Sequence, residues 1–225
     1  MSAPRTMPTT NLTPNPGSGA GSVDFAPASP LLFVVSGPSG VGKDALLVEL
    51  RERHPEYHYV VTVTTRAPRP GEVDGEHYHF RSKQVFEEMR DAGEFLEWAE
   101  VYGGNYYGSP KFELRQARDE GKDVVVKVDV QGARSIRALV PEAVLLFIAP
   151  SSLAELDARL AGRRTETSEQ LAVRLATARE EMDARHWFDY VLVNRDNELD
   201  RTVDDAVAIL RAEKLRVKPR VFWVK

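Results

Sequence analysis

The chain has 225 residues, 30 Lys and Arg against 34 Asp and Glu, a formal net charge of -4 and no Cys. That length suits one α/β domain with inserted lobes. The slight acid excess offers no general attraction to nucleic acid or anionic membrane, and the missing Cys excludes disulfides and thiolate zinc sites.

Residues 1–30 hold six of the 14 prolines and two charges, Arg5 and Asp24. They bury too little apolar surface to offset ordering and are expected to form a disordered tail. A transit peptide would carry more Arg, and no signal-peptide core stands near residue 1. The longest apolar run, 143–149, is too short to span a bilayer. An apolar strand over 31–35 leads into Ser-Gly-Pro-Ser-Gly-Val-Gly-Lys, 36–43. A helix follows from about Lys43, with Leu46, Leu47 and Leu50 at helical spacing.

Strand, glycine-rich turn and helix in this order make a phosphate cradle. The pattern G-x-x-x-x-G-K is met by Gly37, Gly42 and Lys43, with Pro38, Ser39, Gly40 and Val41 between. The loop N–H groups would cradle nucleotide phosphates, with Lys43 as a mobile point charge for the β- and γ-phosphates; the bland alternative is a glycine-rich loop with an exposed lysine. The hydroxyl residue that should come next is missing, because position 44 is Asp44.

Residues 57–63 alternate and are β-rich, so they predict a second strand. Residues 64–80, TTRAPRPGEVDGEHYHF, predict an ordered loop. Residues 82–91 predict a short helix with Ser82 as N-cap and Val85, Phe86 and Met89 on one face. Residues 94–101 alternate like a strand, and 103–108 turn back. The block 62–109 reads as a small β-rich lobe inserted into the core. Helices are expected over 109–120, 131–139, 152–160, 168–184 and 199–215. Strands are expected over 124–130, 144–148 and 190–193. Strands alternating with helices point to a doubly wound parallel sheet. The apolar end, 221–224, is expected to pack on that sheet.

Arg66 and Arg69 flank Pro68. Two guanidinium groups on a rigid turn can grip one phosphate dianion, or form a solvated basic loop. Tyr78 and Tyr107 could donate hydroxyls to the same phosphate or be ordinary lobe tyrosines. Arg159, Arg163, Arg164 and Arg174 surround a charged loop at 161–170. They suit a lid that neutralises a transferred phosphoryl group, or a set of exposed ion pairs. Glu97 reads alone as a strand carboxylate. Asp129 lies in an apolar run, where a lone acid is costly unless it is paired or at the strand end facing a ligand. The five His residues show no metal-ligand spacing, and the His77-x-His79 pair reads as lobe strand.

Taken together, GPSGVGK, TTRAPRPGEVDGEHYHF, EFLEWAEVYGGNYYGS, VDVQG and RLAGRRTET resemble the guanylate kinase family in order and spacing, over about 31–215. The resemblance implies a P-loop NTPase-type fold with a GMP-binding lobe and an Arg-rich lid. It implies transfer of the γ-phosphate of ATP to GMP or dGMP in purine nucleotide metabolism, with Mg²⁺, in the cytoplasm. Nucleic acid and membrane are not expected partners. By motif position, Arg66, Arg69, Tyr78 and Tyr107 resemble the clamp on the GMP phosphate. Glu97, Thr62 and Ser109 resemble the guanine-binding set, and Asp129 the strand-end carboxylate near the acceptor. Residues 38–43 resemble the ATP phosphate site, and Arg159, Arg163 and Arg174 the lid arginines.

Three positions depart from the family pattern. Asp44 replaces Ser or Thr, Lys127 replaces a second Asp, and one extra residue lies at Gly103-Gly104. Asp44 is expected to take the missing hydroxyl's place toward Mg²⁺, directly or through water. Two rivals share parts of the pattern. Kinases of phosphorylated ribose have a similar phosphate loop but no use for Glu97 and the GNYYGS turn. Guanylate-kinase-like phosphopeptide modules have degraded phosphate loops, whereas Lys43 is present here.

Overall fold

The structure, a computed structural model, describes residues 29–101, 104–161 and 168–224. Along the chain run β1 (Leu32–Ser36), α1 (Lys43–Arg53), β2 (His58–Tyr59), β3 (Val63–Thr64), β4 (His79–Phe80), α2 (Lys83–Asp91), β5 (Phe95–Val101) and β6 (Asn105–Pro110). Then follow α3 (Lys111–Asp119), β7 (Val124–Lys127), α4 (Val130–Leu139), β8 (Val144–Pro150), α5 (Leu153–Ala161), α6 (Ser168–Asp183), β9 (Tyr190–Asn194) and α7 (Leu199–Lys214). The tail over residues 1–28 lies outside the described residues.

Five strands form a parallel sheet in the order β2-β7-β1-β8-β9. Both faces are covered, which is why its strands read as unbroken apolar runs rather than alternating ones. On β1 the alternation instead sorts side chains between two cores. Phe33 and Val35 pack with Leu46, Leu50, Leu156 and Leu210, while Leu32 and Val34 pack with Leu114, Ile136 and Phe222. Phe222 and Val224 close the second core, so the chain end does pack on the sheet; Trp223 between them points out. No helix among the described residues is long and apolar enough to cross a membrane.

A second sheet, β4-β3-β6-β5, is antiparallel except for the β3–β4 pair. Its own core is Val63, Phe86, Phe95 and Tyr106, with Phe86 stacked on Phe95 at 4.4 Å between ring centroids. Ser82 caps α2 by accepting from the Val85 N–H. Val85 itself is exposed, and Phe86 and Met89 carry the buried face.

Three boundaries differ from the sequence expectation. The strand expected over 57–63 is two strands in different sheets: His58 and Tyr59 pair with β7, whereas Val63 and Thr64 pair with β6 and β4. The helix expected from Ser109 starts at Lys111, because Ser109 and Pro110 are still paired to β5. The strand expected over 124–130 stops at Lys127. Asp129 then caps α4, its Oδ1 accepting from the Gly132 N–H at 2.7 Å. That cap, and its exposure at the strand end, remove the burial cost that made Asp129 conspicuous.

Candidate active site

The turn from β1 into α1 lies at the carboxyl edge of the sheet, with strands on both sides of β1, where open α/β sheets place ligands. Gly37 has φ 142° and Gly42 has φ 97°. A Cβ on Gly37 would lie 2.2 Å from the Ile148 carbonyl oxygen, and one on Gly42 would lie 2.5 Å from Asn194 Nδ2. Only glycine gives the loop both its left-handed turns and this closeness to the sheet. The Val41 carbonyl is held from behind by Asn194 Nδ2 at 2.8 Å and Arg159 Nη1 at 3.0 Å.

Lys43 Nζ folds back to donate to the carbonyls of Gly37 at 2.6 Å and Pro38 at 3.0 Å. Burial pushes its pKa below the ordinary lysine value, against the pull of Glu181 and Asp44. Glu181, on α6, accepts from the Ser39 N–H at 3.1 Å. A carboxylate thus sits on one of the N–H groups that would bind a phosphate oxygen.

In front of the loop lies a cavity of about 320 Å³ whose walls include Lys43, Ser39 and Glu181 on one side and Thr62, Tyr78, Glu97 and Tyr107 on the other. Lys127 and Asp129 also line it. Glu97, on β5, lies directly across from Ser109 on β6 and accepts from its hydroxyl at 2.6 Å. Arg66 forms a bidentate pair with Glu72 at 2.8 and 2.9 Å and donates from Nε to the Tyr107 hydroxyl at 3.3 Å. Its guanidinium also lies 5.3 Å from the Tyr78 ring centroid. The Arg69 backbone N–H joins the same Glu72 carboxylate at 2.7 Å. Hydrogen bonds from Arg66, then from Arg69, pull the Glu72 carboxyl down to about 2. An anion is therefore already gripped by the Arg66 guanidinium and the Arg69 backbone N–H, beside Tyr107.

A family model described as guanylate kinase matches residues 29–213. The guanylate kinase of Carboxydothermus hydrogenoformans is 45% identical over 188 residues, which cover 84% of this chain and 91% of that one. That of Rhodococcus jostii is 49% identical over 180 residues, 80% of this chain and 86% of that one. The crystal structure of guanylate kinase from Anaplasma phagocytophilum matches with a TM-score of 0.67 and 32% identity, over 85% of this chain and 89% of that one. The chain belongs to the guanylate kinase family. Its reaction class is ATP:GMP phosphotransfer.

Two of the three departures from the guanylate kinase pattern meet in space. Lys127 Nζ lies 2.5 Å from Asp44 Oδ1, so the two departures form one ion pair. The third, at Gly103-Gly104, falls partly outside the described residues, as do Arg163, Arg164 and the loop 162–167. Arg174 lies on α6, but its side chain is not among those described. Arg159 is turned onto the phosphate loop and onto Asp196, 2.7 Å from Nη2, and Glu155.

Sequence reasoning missed Glu72, Glu181 and Asn194. Glu72 carried a signal, as an acid three residues after Arg69. Glu181 carried none, since it reaches Ser39 across 142 residues.

Glu97 lines the cavity and titrates near neutral pH. Burial raises its carboxyl to about 7, the Ser109 hydrogen bond opposes, and the Asp129 charge adds to the rise. If Glu97 takes the guanine donors it must do so ionised, and kcat/KM for GMP should then rise with pH and level off above about 7. The folded-state pKa exceeds the unfolded one, so stability from this group is present below about 4.5 and is lost as pH rises through about 7. A pH–rate profile checks the first statement: the step should vanish in Glu97→Gln, and its persistence there would assign it to another group.

Proposed function

We propose that the cavity between the two sheets is where the γ-phosphoryl group of ATP passes to GMP or dGMP, giving ADP and GDP or dGDP. The observation that carries this reading is the shared cavity: the phosphate-loop Lys43 and the Glu97–Ser109 pair line or border one space. On one wall, the N–H groups of 38–43 would take the ATP phosphates. On the other, Arg66, Arg69, Tyr78 and Tyr107 would grip the acceptor phosphate in place of Glu72. Glu97, Ser109 and Thr62 would take the guanine edge, and Asp129 lies at the acceptor side. No covalent nucleophile is needed, because alignment and charge neutralisation carry most of phosphoryl transfer. Arg159, Arg163 and Arg174 would act on the transferred group. Arg159 would have to exchange its bonds to Val41 and Asp196 for bonds to phosphate.

The donor set fits magnesium as a weakly protein-held ion. Among the described residues no group of three or more His, Asp or Glu is disposed to hold a metal ion, and Asp44, at the first turn of α1, would offer a hard oxygen on giving up its pair with Lys127. Mg²⁺ bound mainly through substrate phosphates and water needs no more than one or two carboxylates. Bound there, it would screen the charge of the phosphates. Asp44→Ala should therefore raise the Mg²⁺ concentration for half-maximal rate, and Asp44→Ser should partly restore it. An unchanged Mg²⁺ titration in both variants would remove Asp44 from this role.

Purine nucleotide metabolism in the cytoplasm is the setting this chemistry fits. ADP release with GMP, dGMP, AMP, UMP and ribose bisphosphate as acceptors tests the reading. Turnover should be confined to GMP and dGMP; preference for the ribose ester, or none for any acceptor, would refute it.

A further inference from the structure

Away from the cavity, one buried carboxylate joins the two sheets. Glu113 stands in the first turn of α3 with its side chain 8% exposed. Its Oε1 meets His79 Nε2 at 2.6 Å, and its Oε2 meets His58 Nε2. His58 belongs to β2 of the parallel sheet and His79 to β4 of the second sheet. An ionised carboxylate only accepts, so each imidazole must present an N–H at Nε2. Burial raises the Glu113 pKa, yet the bonds and charge of His58 and His79 outweigh it and hold the carboxyl below its ordinary range. The other acids that face these rings are Glu120 toward His58 and Asp74 toward His79.

The placement is what gives this bridge a purpose. The chain passes from the parallel sheet to the second one between β2 and β3, and back between β6 and α3. His58 precedes the first crossing and Glu113 follows the second. Each partner adjoins a residue of the acceptor wall. His79 is next to Tyr78, and its backbone N–H donates to the Thr62 carbonyl at 2.9 Å. Glu113 lies four residues after Ser109, the partner of Glu97, where β6 has passed into α3. None of the three bridging side chains lines the cavity itself.

A buried ionic bridge is weak evidence for stability, since its desolvation opposes its attraction. What it supplies well is a fixed relation between the groups it joins. We propose that Glu113, clasped by His58 and His79, is a positioning residue that sets the angle of the acceptor wall against the phosphate loop. This inference rests on the acceptor reading given above. Loss of the clasp should leave the ATP wall intact and misplace the GMP wall.

Glu113→Gln should raise the calorimetric dissociation constant and the KM for GMP about tenfold, with the KM for ATP changed less than about twofold. His58→Asn and His79→Asn should each give the same shift, and the double variant no more than either single one, because one loss already opens the clasp. His79 is on an edge strand, so its variant keeps the test available if Glu113→Gln does not fold. Parallel rises in both KM values, additive single effects, or a lowered melting temperature with unchanged GMP affinity would overturn the proposal. Glu97→Gln separates the two readings. If it weakens GMP binding while the clasp variants do not, only the clasp fails; if it too has no effect, the acceptor reading falls and the clasp with it.

Discussion

Lys43→Ala should lower kcat by on the order of 10² to 10³, the usual cost of removing one fixed charge beside the reacting group. The KM for GMP should stay within a few-fold, because the proposed acceptor residues come from the second sheet and its loops rather than from the phosphate loop. Lys43 Nζ is parked on the Gly37 and Pro38 carbonyls, 2.6 and 3.0 Å away, at the mouth of the phosphate loop. Exchanging these two bonds for phosphate oxygens needs only side-chain rotation. As negative charge redistributes over the transferring group, a charge already in position stabilises the transition state more than the bound substrate. The effect should therefore appear in kcat. Single-turnover rates with saturating ATP check this, and near-normal turnover would mean that the loop does not hold ATP.

The phosphate loop was legible in the sequence because everything that makes it is local. The apolar strand, three glycines and Lys43 lie within a dozen residues, and the helix begins where the motif ends. The doubly wound sheet was legible for a similar reason, since continuous apolar runs mark strands covered on both faces. The lobe was harder to read. Residues 57–63 keep one alternating pattern while the chain changes sheets, and alternation does not encode which strand lies alongside. Asp129 could have been read better, because an Asp just before a helix is an N-cap signal.

The site was legible only where motif blocks carried it. Glu97 and Ser109 are 12 residues apart and meet through strand register. Glu113 reads as an ordinary helix-surface acid until its two histidines arrive from different sheets. Lys127 and Asp44, 83 residues apart, read as two unrelated departures and form one pair. In each case the missing information was tertiary contact.

The largest effect on specificity should come from Glu97→Gln. Guanine presents N1–H and a 2-amino group as adjacent donors, and a carboxylate can accept both. Adenine presents N1 as an acceptor and has no 2-amino group, so it would leave the buried acid unpaired. Sites built on such hydrogen bonds reject the mismatched base by roughly 10⁴-fold. Burial strengthens the contrast, and Ser109 holds Glu97 Oε1 at 2.6 Å before substrate arrives. Glutamine keeps the shape but turns one acceptor into a donor that opposes guanine. It should cost GMP ~10³-fold in kcat/KM and spare AMP. IMP, which lacks only the 2-amino group, should fall between them.

The ratio of kcat/KM for GMP over AMP, in wild type and in Glu97→Gln, at a pH well above the Glu97 value of about 7, is the most direct measurement. A wild-type ratio near ~10⁴ that collapses by orders of magnitude in the variant is expected. An equal ratio in both proteins would contradict the assignment and place guanine recognition outside the Glu97–Ser109 pair.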